Sequence, residues 1–395
     1  MAANSLTFDF DRIISRTGTA SEKWDGRQAY FGRADVTPLW VADMDFAAPP
    51  AVTEALIARA QHPVYGYTAT DDAVYTSLIV WLAQQYGWRV ERDWIVLTPG
   101  VVPSIYAAVQ AMTRPDQGVI VQPPVYAPFF SAVTTNGRAL LHNPLRLEQG
   151  RYRMDLAQLE HCAQQGAKLL LLCSPHNPVG RVWQRDEFDA LLDIARRYRL
   201  TIFSDEIHAD LVYPEYRHIP LATLTREGDA VITAVAPSKT FNIPGLGLSA
   251  LIIPDAGIRQ AMIAAFARLH VHNSNPFSLI AFTAAYRHGG AWRDALMLYL
   301  RDTRDAVMQY LSEHIPGIRA IAAEGTYLLW LDCRELGMSD AQLQAFFVQQ
   351  CRIGMNPGPI FGQGGSGFMR LNLASPRAVV MEALARVAAA LSVPG

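Results

Sequence analysis

Short apolar runs recur through the middle of the chain, most of them closed by a turn rich in Pro, Ser or Asn. Val119–Gln122 ends at Pro123-Pro124-Val125-Tyr126, and Leu169–Cys173 ends at Ser174-Pro175-His176-Asn177-Pro178. Thr201–Ser204 ends at Asp205, and Val231–Val235 runs into Pro237-Ser238-Lys239. Between the second and third runs, residues 186–199 place Phe188, Leu191, Leu192, Ala195 and Tyr198 on one side of a helix. Upstream, residues 51–60 and 71–86 read as helices, the second with Val74, Leu78, Trp81 and Leu82 on one face, and Tyr65-Gly66-Tyr67 reads as a turn between them. Trp94–Thr98 reads as a strand leading through Pro99-Gly100 into a helix from about Pro103 to Met112. Strands alternating with helices in this way predict an α/β fold, a mostly parallel sheet flanked by helices.

From about residue 255 the pattern changes. A long amphipathic helix is expected over residues 292–313, with Arg293, Asp294, Arg301, Asp302, Arg304 and Asp305 on its solvated face. A strand follows at Thr326–Leu331, and Ser339 with Gln342 has the form of a capping box opening a further helix. After the glycine-rich loop Phe361–Gly367 comes the strand Phe368–Leu373, in which Met369, Leu371 and Leu373 share one face and Arg370 and Asn372 the other. This second region reads as a smaller α+β domain. The expected organisation is an irregular arm over residues 1–50 contributing to the small domain, a large domain over 51–285 and a small domain over 286–395.

Composition narrows the field. Half of the 395 residues are apolar, and a net charge of −2 gives no electrostatic reason to expect nucleic acid or an anionic membrane as partner. Cys162, Cys173, Cys333 and Cys351 lack C-x-x-C spacing, which fits reduced thiols better than disulfides or a metal site. The opening stretch has charges where a signal peptide needs its apolar core, and no run approaches membrane-spanning length. A soluble cytoplasmic protein is expected.

Ligands of open α/β sheets bind beyond the carboxyl ends of the strands, so Tyr126, Asn177, Asp205 and Lys239 should gather in one place. The chain has three lysines; Lys168 lies at the other end of its strand and Lys23 in the arm, which leaves Lys239 to join the cluster. Gly100 and the helix start after it offer free N–H groups and a positive dipole end, an anion site. In the arm, Trp40–Phe46 sets Asp43 and Asp45 beside aromatics, as a pocket wall or as a capped turn. An anion-binding helix start, an aromatic, an asparagine, a carboxylate and a lysine, in this order along the chain, suit pyridoxal 5′-phosphate. That cofactor needs a lysine for its aldehyde, a buried carboxylate to keep its ring nitrogen protonated and a helix N-terminus for its phosphate. It also needs a stacking partner and a donor to its phenolic oxygen.

The segments Pro38–Phe46, Tyr65–Tyr67, Val101–Met112, Gln122–Tyr126, Ser174–Gly180, Ser204–Asp210, Pro237–Leu246 and Gly367–Ala374 carry a resemblance. The chain resembles the fold type I pyridoxal-phosphate enzymes of the aminotransferase class I/II superfamily, and within them the MalY/PatB-like cystathionine β-lyase (C–S lyase) branch. The resemblance implies Lys239 as Schiff-base lysine and proton shuttle, Asp205 on the pyridine N–H, Asn177 on the phenolate oxygen and Tyr126 stacked on the ring. It implies Gly100, Val101, Val102 and Ser238 around the phosphate, helped by Tyr67 from the other subunit of a homodimer. It further implies Arg370 as a clamp on the substrate α-carboxylate, with Trp40, Asp43 and Tyr126 on the substrate side. Aminotransferases of this fold usually have an arginine eight residues after the lysine, where this chain has Gly247, and often a serine three before it, where it has Ala236. The tyrosine they often place three residues after the aspartate is here His208, expected near the ring oxygen.

The missing arginine favours the lyase branch. The expected reaction is cleavage of L-cystathionine or a related L-cysteine S-conjugate to a thiol, pyruvate and ammonia. Transamination between an amino acid and a 2-oxo acid would use nearly the same residues. A regulatory protein-binding role on this fold is a third reading.

Overall fold

Seven strands form the central sheet: β1 (Ile95–Thr98), β2 (Gly118–Val121), β3 (Ala139–His142), β4 (Ala167–Cys173), β5 (Thr201–Asp205), β6 (Val231–Val235) and β7 (Ser249–Ile252). They come from a computed structural model that describes residues 8–271 and 275–392; residues 1–7 of the expected arm lie outside the described residues. The order is β1-β7-β6-β5-β4-β2-β3, with β7 antiparallel to both its neighbours and the strands from β6 to β3 parallel. The inner strands are apolar throughout because both faces are covered. In β4, Leu169 and Leu171 pack with Ile105, Val109, Phe203 and Phe266, while Leu170 and Leu172 pack on the opposite face with Phe188, Leu191 and Ile202.

This topology brings the carboxyl ends of β1, β2, β4, β5 and β6 to one edge. The helix after β1 spans Val101–Met112, so it begins two residues ahead of the expected Pro103. Its start is tied to the sheet by Ser104 Oγ, which donates to Thr98 Oγ1 at 2.9 Å, itself 2.7 Å from Ser249 Oγ.

A second, antiparallel sheet contains β8 (Arg319–Ala320), β9 (Leu328–Asp332), β10 (Asn356–Pro357) and β11 (Phe368–Asn372) in the order β8-β9-β11-β10. The capping box of Ser339 and Gln342 is present, with the helix running over Asp340–Ala345. β9 starts two residues after the expected Thr326, because Thr326 is left-handed at φ 69° and cannot belong to a strand. The long helix covers Gly290–His314, but its charges do not form a uniformly solvated face. Arg304 is only 9% exposed, lies 4.1 Å over the Tyr213 ring and donates to Ala323 O; Arg293 lies over Trp81 and donates to Gln85 Oε1. A guanidinium can be buried flat on an aromatic ring, which charge periodicity does not reveal.

The arm is more regular than expected. It holds the short helices Glu22–Asp25 and Arg27–Phe31, and Thr37–Pro38 pairs in parallel with Ile353–Gly354. Leu39 O then accepts Asn372 N, which seats the arm against β11. Lys23 is fully buried, its Nζ 2.8 Å from Asp45 Oδ2 and 3.8 Å from Asp43 Oδ1. Arg16 bridges Asp43 Oδ2 at 2.6 Å and Asp45 Oδ1 at 2.9 Å, and Asp45 also accepts from Trp24 Nε1 and Ser375 Oγ. Burial pushes the Asp45 carboxyl up, but Lys23, Ser375 and Trp24 together outweigh it and hold the group below the usual range.

Asp45→Ala leaves the buried Lys23 ammonium with Asp43 alone, and the expected cost is about 3–5 kcal/mol, read from the denaturant midpoint at unchanged slope. Lys23→Met leaves Asp45 its other partners and should cost clearly less. Equal losses in the two variants would show that this pair does not anchor the arm.

Candidate active site

Lys239 stands on a single helical turn, Pro237–Thr240, directly after β6. Pro237 opens the turn, and Thr240 Oγ1 donates to the buried Asp210 Oδ2 at 2.9 Å. Asp210 also accepts from Trp81 Nε1 and Tyr86 Oη, so the lysine turn is fixed to the helix Asp72–Tyr86 behind it. The Lys239 amine donates to Ala42 O of the arm at 2.6 Å. Burial brings its pKa down to about 8, helped by Arg370 and opposed by Asp43 and Asp205.

Asp205 ends β5 and is buried, its carboxylate accepting Ile207 N at 3.1 Å with no ion pair to a cation among the described residues. Burial lifts it to about 7, against the pull of the Ile207 N–H and Lys239. His208 is buried, and among the described residues its Nδ1 has no partner; burial, Lys239 and Arg370 lower it to about 3, so the ring is neutral. Tyr126 follows β2; burial raises its phenol pKa, Arg370 opposes, and Asp205 and Glu22 add to the rise.

Arg370 enters from β11 and is 5% exposed. Its Nη2 donates to Trp40 O and Asn356 Oδ1, each at 2.7 Å, and its Nη1 donates to Asn177 Oδ1 at 3.1 Å. Among the described residues Nε has no partner and no carboxylate pairs with the guanidinium, and burial lowers its pKa to about 10. A buried guanidinium resting on neutral acceptors is built to receive an anion.

The structure thus brings Lys239, Asp205, Asn177, Tyr126, His208 and Arg370 together. Trp40 contributes its carbonyl, while its indole is turned away to donate to Lys23 O. The Asp43 carboxylate is paired with Arg16 through both of its oxygens. Gly100, Val101, Val102 and Ser238 lie at the helix start after β1 and on the lysine turn. The first N–H groups of that helix lack intrahelical acceptors. Tyr67 does not join the group; it is 105% exposed in this chain. At position 247 the backbone has φ +21° and a Cβ would sit 3.3 Å from Pro99 O, so the chain passes too close for an arginine to be set there without strain. Sequence reasoning missed Tyr327, Asn356 and Ala42 O. Tyr327 reads as one more apolar strand residue, and a backbone carbonyl leaves no trace in side-chain chemistry.

These groups fit pyridoxal 5′-phosphate. An amine of depressed pKa, a buried carboxylate lacking a cation, an unpartnered imidazole nitrogen and a helix N-terminus are the complements of an aldehyde, a pyridinium, a ring oxygen and a phosphate. Among the described residues no cluster of His, Cys, Asp or Glu could hold a metal ion.

The comparisons agree with this geometry. Residues 34–387 match the family described as aminotransferase class I and II. The chain is 42% identical to cystathionine β-lyase PatB of Bacillus subtilis, over 97% of this chain and 100% of that one, and 33% identical to protein MalY of Escherichia coli, over 96% and 97%. The crystal structure of cystalysin from Treponema denticola, which contains a pyridoxal 5′-phosphate cofactor, superposes with a TM-score of 0.94 at 36% identity, covering 98% of this chain and 99% of that one. Likeness that runs from the arm to the last helix makes this chain a member of the aminotransferase class I and II family, in the branch of PatB and MalY.

Proposed function

We propose that the protein is a pyridoxal-phosphate-dependent carbon–sulfur β-lyase that converts L-cystathionine or a related L-cysteine S-conjugate, with water, to a thiol, pyruvate and ammonia. The observation that carries the reading is the buried pair of Lys239 and Arg370, one an amine of lowered pKa and the other a guanidinium without a carboxylate. When bound, pyridoxal 5′-phosphate supplies an aldehyde for an amine and a cationic ring that accepts electrons from the substrate Cα.

The chain's own residues do the rest. Arg370, giving up one of the neutral acceptors on Nη2, takes the substrate α-carboxylate in a bidentate pair and so sets Cα before Lys239. Lys239 in its free-amine form removes the Cα proton, a task that a depressed pKa suits. Asp205 holds the ring nitrogen in its N–H form, and the cation it gains offsets the burial that otherwise lifts its pKa. Asn177 and His208 would hold the ring oxygen, Tyr126 would cover the ring, and Ser238 with the N–H groups of Val101 and Val102 would hold the phosphate. Gly247 removes one phosphate partner common in aminotransferases of this fold, which favours elimination over transamination.

The same reading includes a homodimer in a reducing, cytoplasmic setting. The four cysteines are free and buried. Tyr67 lies beside exposed Val64 and Tyr65, a patch suited to a second copy, and would reach the phosphate of the partner's site. Light scattering should give twice the chain mass, and Tyr67→Phe should weaken cofactor retention. A monomer that holds cofactor fully would remove this part of the proposal.

Incubation with L-cystathionine should release thiol and pyruvate in equal amounts, and Lys239→Ala should abolish steady turnover. At saturating substrate the rate should fall as the pH drops through the pKa of the released Lys239 amine, which burial holds below the ordinary lysine value, because the protonated amine cannot act as base. Formation of a new amino acid from a supplied 2-oxo acid, without thiol release, would instead identify an aminotransferase.

A further inference from the structure

One carbonyl oxygen of the arm stands where three parts of the chain meet. Ala42 O accepts Lys239 Nζ at 2.6 Å and Tyr327 Oη at 2.8 Å. Tyr327 is fully buried, with its ring edge-on to His208 at 6.0 Å. Burial, with Asp43 adding, raises its pKa, so the hydroxyl stays protonated and donates.

Two features fix this arrangement independently of any ligand. Thr326, immediately before Tyr327, is left-handed at φ 69°, a conformation a β-branched residue holds only under constraint. Its N–H is tied to Leu211 O at 2.6 Å, and its Oγ1 accepts Leu328 N at 3.1 Å. The strained residue therefore sets the direction in which Tyr327 leaves the backbone. On the arm side, Val41 O and Asp43 O accept Asn372 Nδ2 at 2.6 and 2.7 Å, and Met44 O accepts Asn242 Nδ2 at 3.0 Å. The peptide bearing Ala42 is held on both flanks.

We propose that Tyr327 is a positioning residue for Lys239: its hydroxyl and the lysine amine share the oxygen of Ala42, so the amine, whenever it is not bonded to the cofactor, is held there through one N–H with its lone pair left for the substrate proton. The proposal rests on the reading of Lys239 as the base. A carbonyl oxygen has two lone pairs, and these two donors use both. The groups facing the amine are Arg370 from β11, Asp43 from the arm, Asp205 from β5, and His208 and Tyr327. Because Tyr327 draws on the oxygen that would otherwise serve the ammonium alone, loss of its hydroxyl favours the protonated lysine and loosens the amine.

Tyr327→Phe tests this in the full-length protein with two readouts. In protein stripped of cofactor, the pH profile of competitive acetylation of Lys239, followed on its peptide, should move up by about half a unit or more. In the loaded enzyme, kcat should fall about tenfold or more while KM stays within about threefold. A 3-fluorotyrosine in place of Tyr327 keeps the ring and strengthens the donor, so it should move the acetylation profile down, and it remains informative if Phe weakens the fold. An acetylation profile unmoved by both replacements, or a rise in KM at constant kcat, overturns the proposal. Turnover retained by Lys239→Ala would instead sink the reading of Lys239 as base, a result that the acetylation profile does not depend on.

Discussion

Burying an amine, a guanidinium and a carboxylate in one pocket without pairing them to opposite charges is costly, and the fold is organised to sustain that condition. Each unpaired buried charge forfeits several kcal/mol of hydration. Arg370 is met by neutral oxygens, Lys239 by a backbone carbonyl and Asp205 by a single N–H. None of these neutralises its group, so the pKa values of Lys239 and Asp205 converge toward neutrality. That poise is what a bound amino acid and an aldehyde cofactor would relieve, and it turns solvation cost into binding and acid–base chemistry.

The rigidity behind this comes from three directions. The parallel strands deliver Asp205 and Lys239 from fixed, fully packed ends, and Asp210 braces the lysine turn from behind. The small sheet supplies Arg370 and Tyr327. The arm closes over them, and its segment from Trp40 to Phe46 serves mainly through backbone carbonyls that accept from Arg370, Asn372, Lys239, Tyr327 and Asn242. The arm keeps its shape because Lys23 and Arg16 satisfy the Asp43 and Asp45 carboxylates.

Much of this was legible in the sequence. Parallel strands covered on both faces read as continuous apolar runs, so their ends, and with them Asn177, Asp205 and Lys239, could be located directly. Arg370 gained meaning only from resemblance, since alternation alone cannot distinguish a buried strand arginine from a solvated one. Asp43 and Asp45 left a pocket wall and a turn both open, because their partners Arg16 and Lys23 lie far back in the arm and carry no spacing signal. Arg304 misled because its ring partner is about ninety residues away in sequence. Tyr327 and Ala42 were invisible: one hides in an apolar run, and the other acts through a group that every residue has.

The central claim is that a single amine, that of Lys239, carries an aldehyde cofactor. Borohydride reduction of the purified protein, followed by digestion and mass spectrometry, tests it most directly, because the chain offers just three lysines. The account predicts that the reduced cofactor is fixed to the peptide containing Lys239 and to no other. Label on Lys23 or Lys168, or a protein that carries no such chromophore and gains none when pyridoxal 5′-phosphate is added, would contradict it.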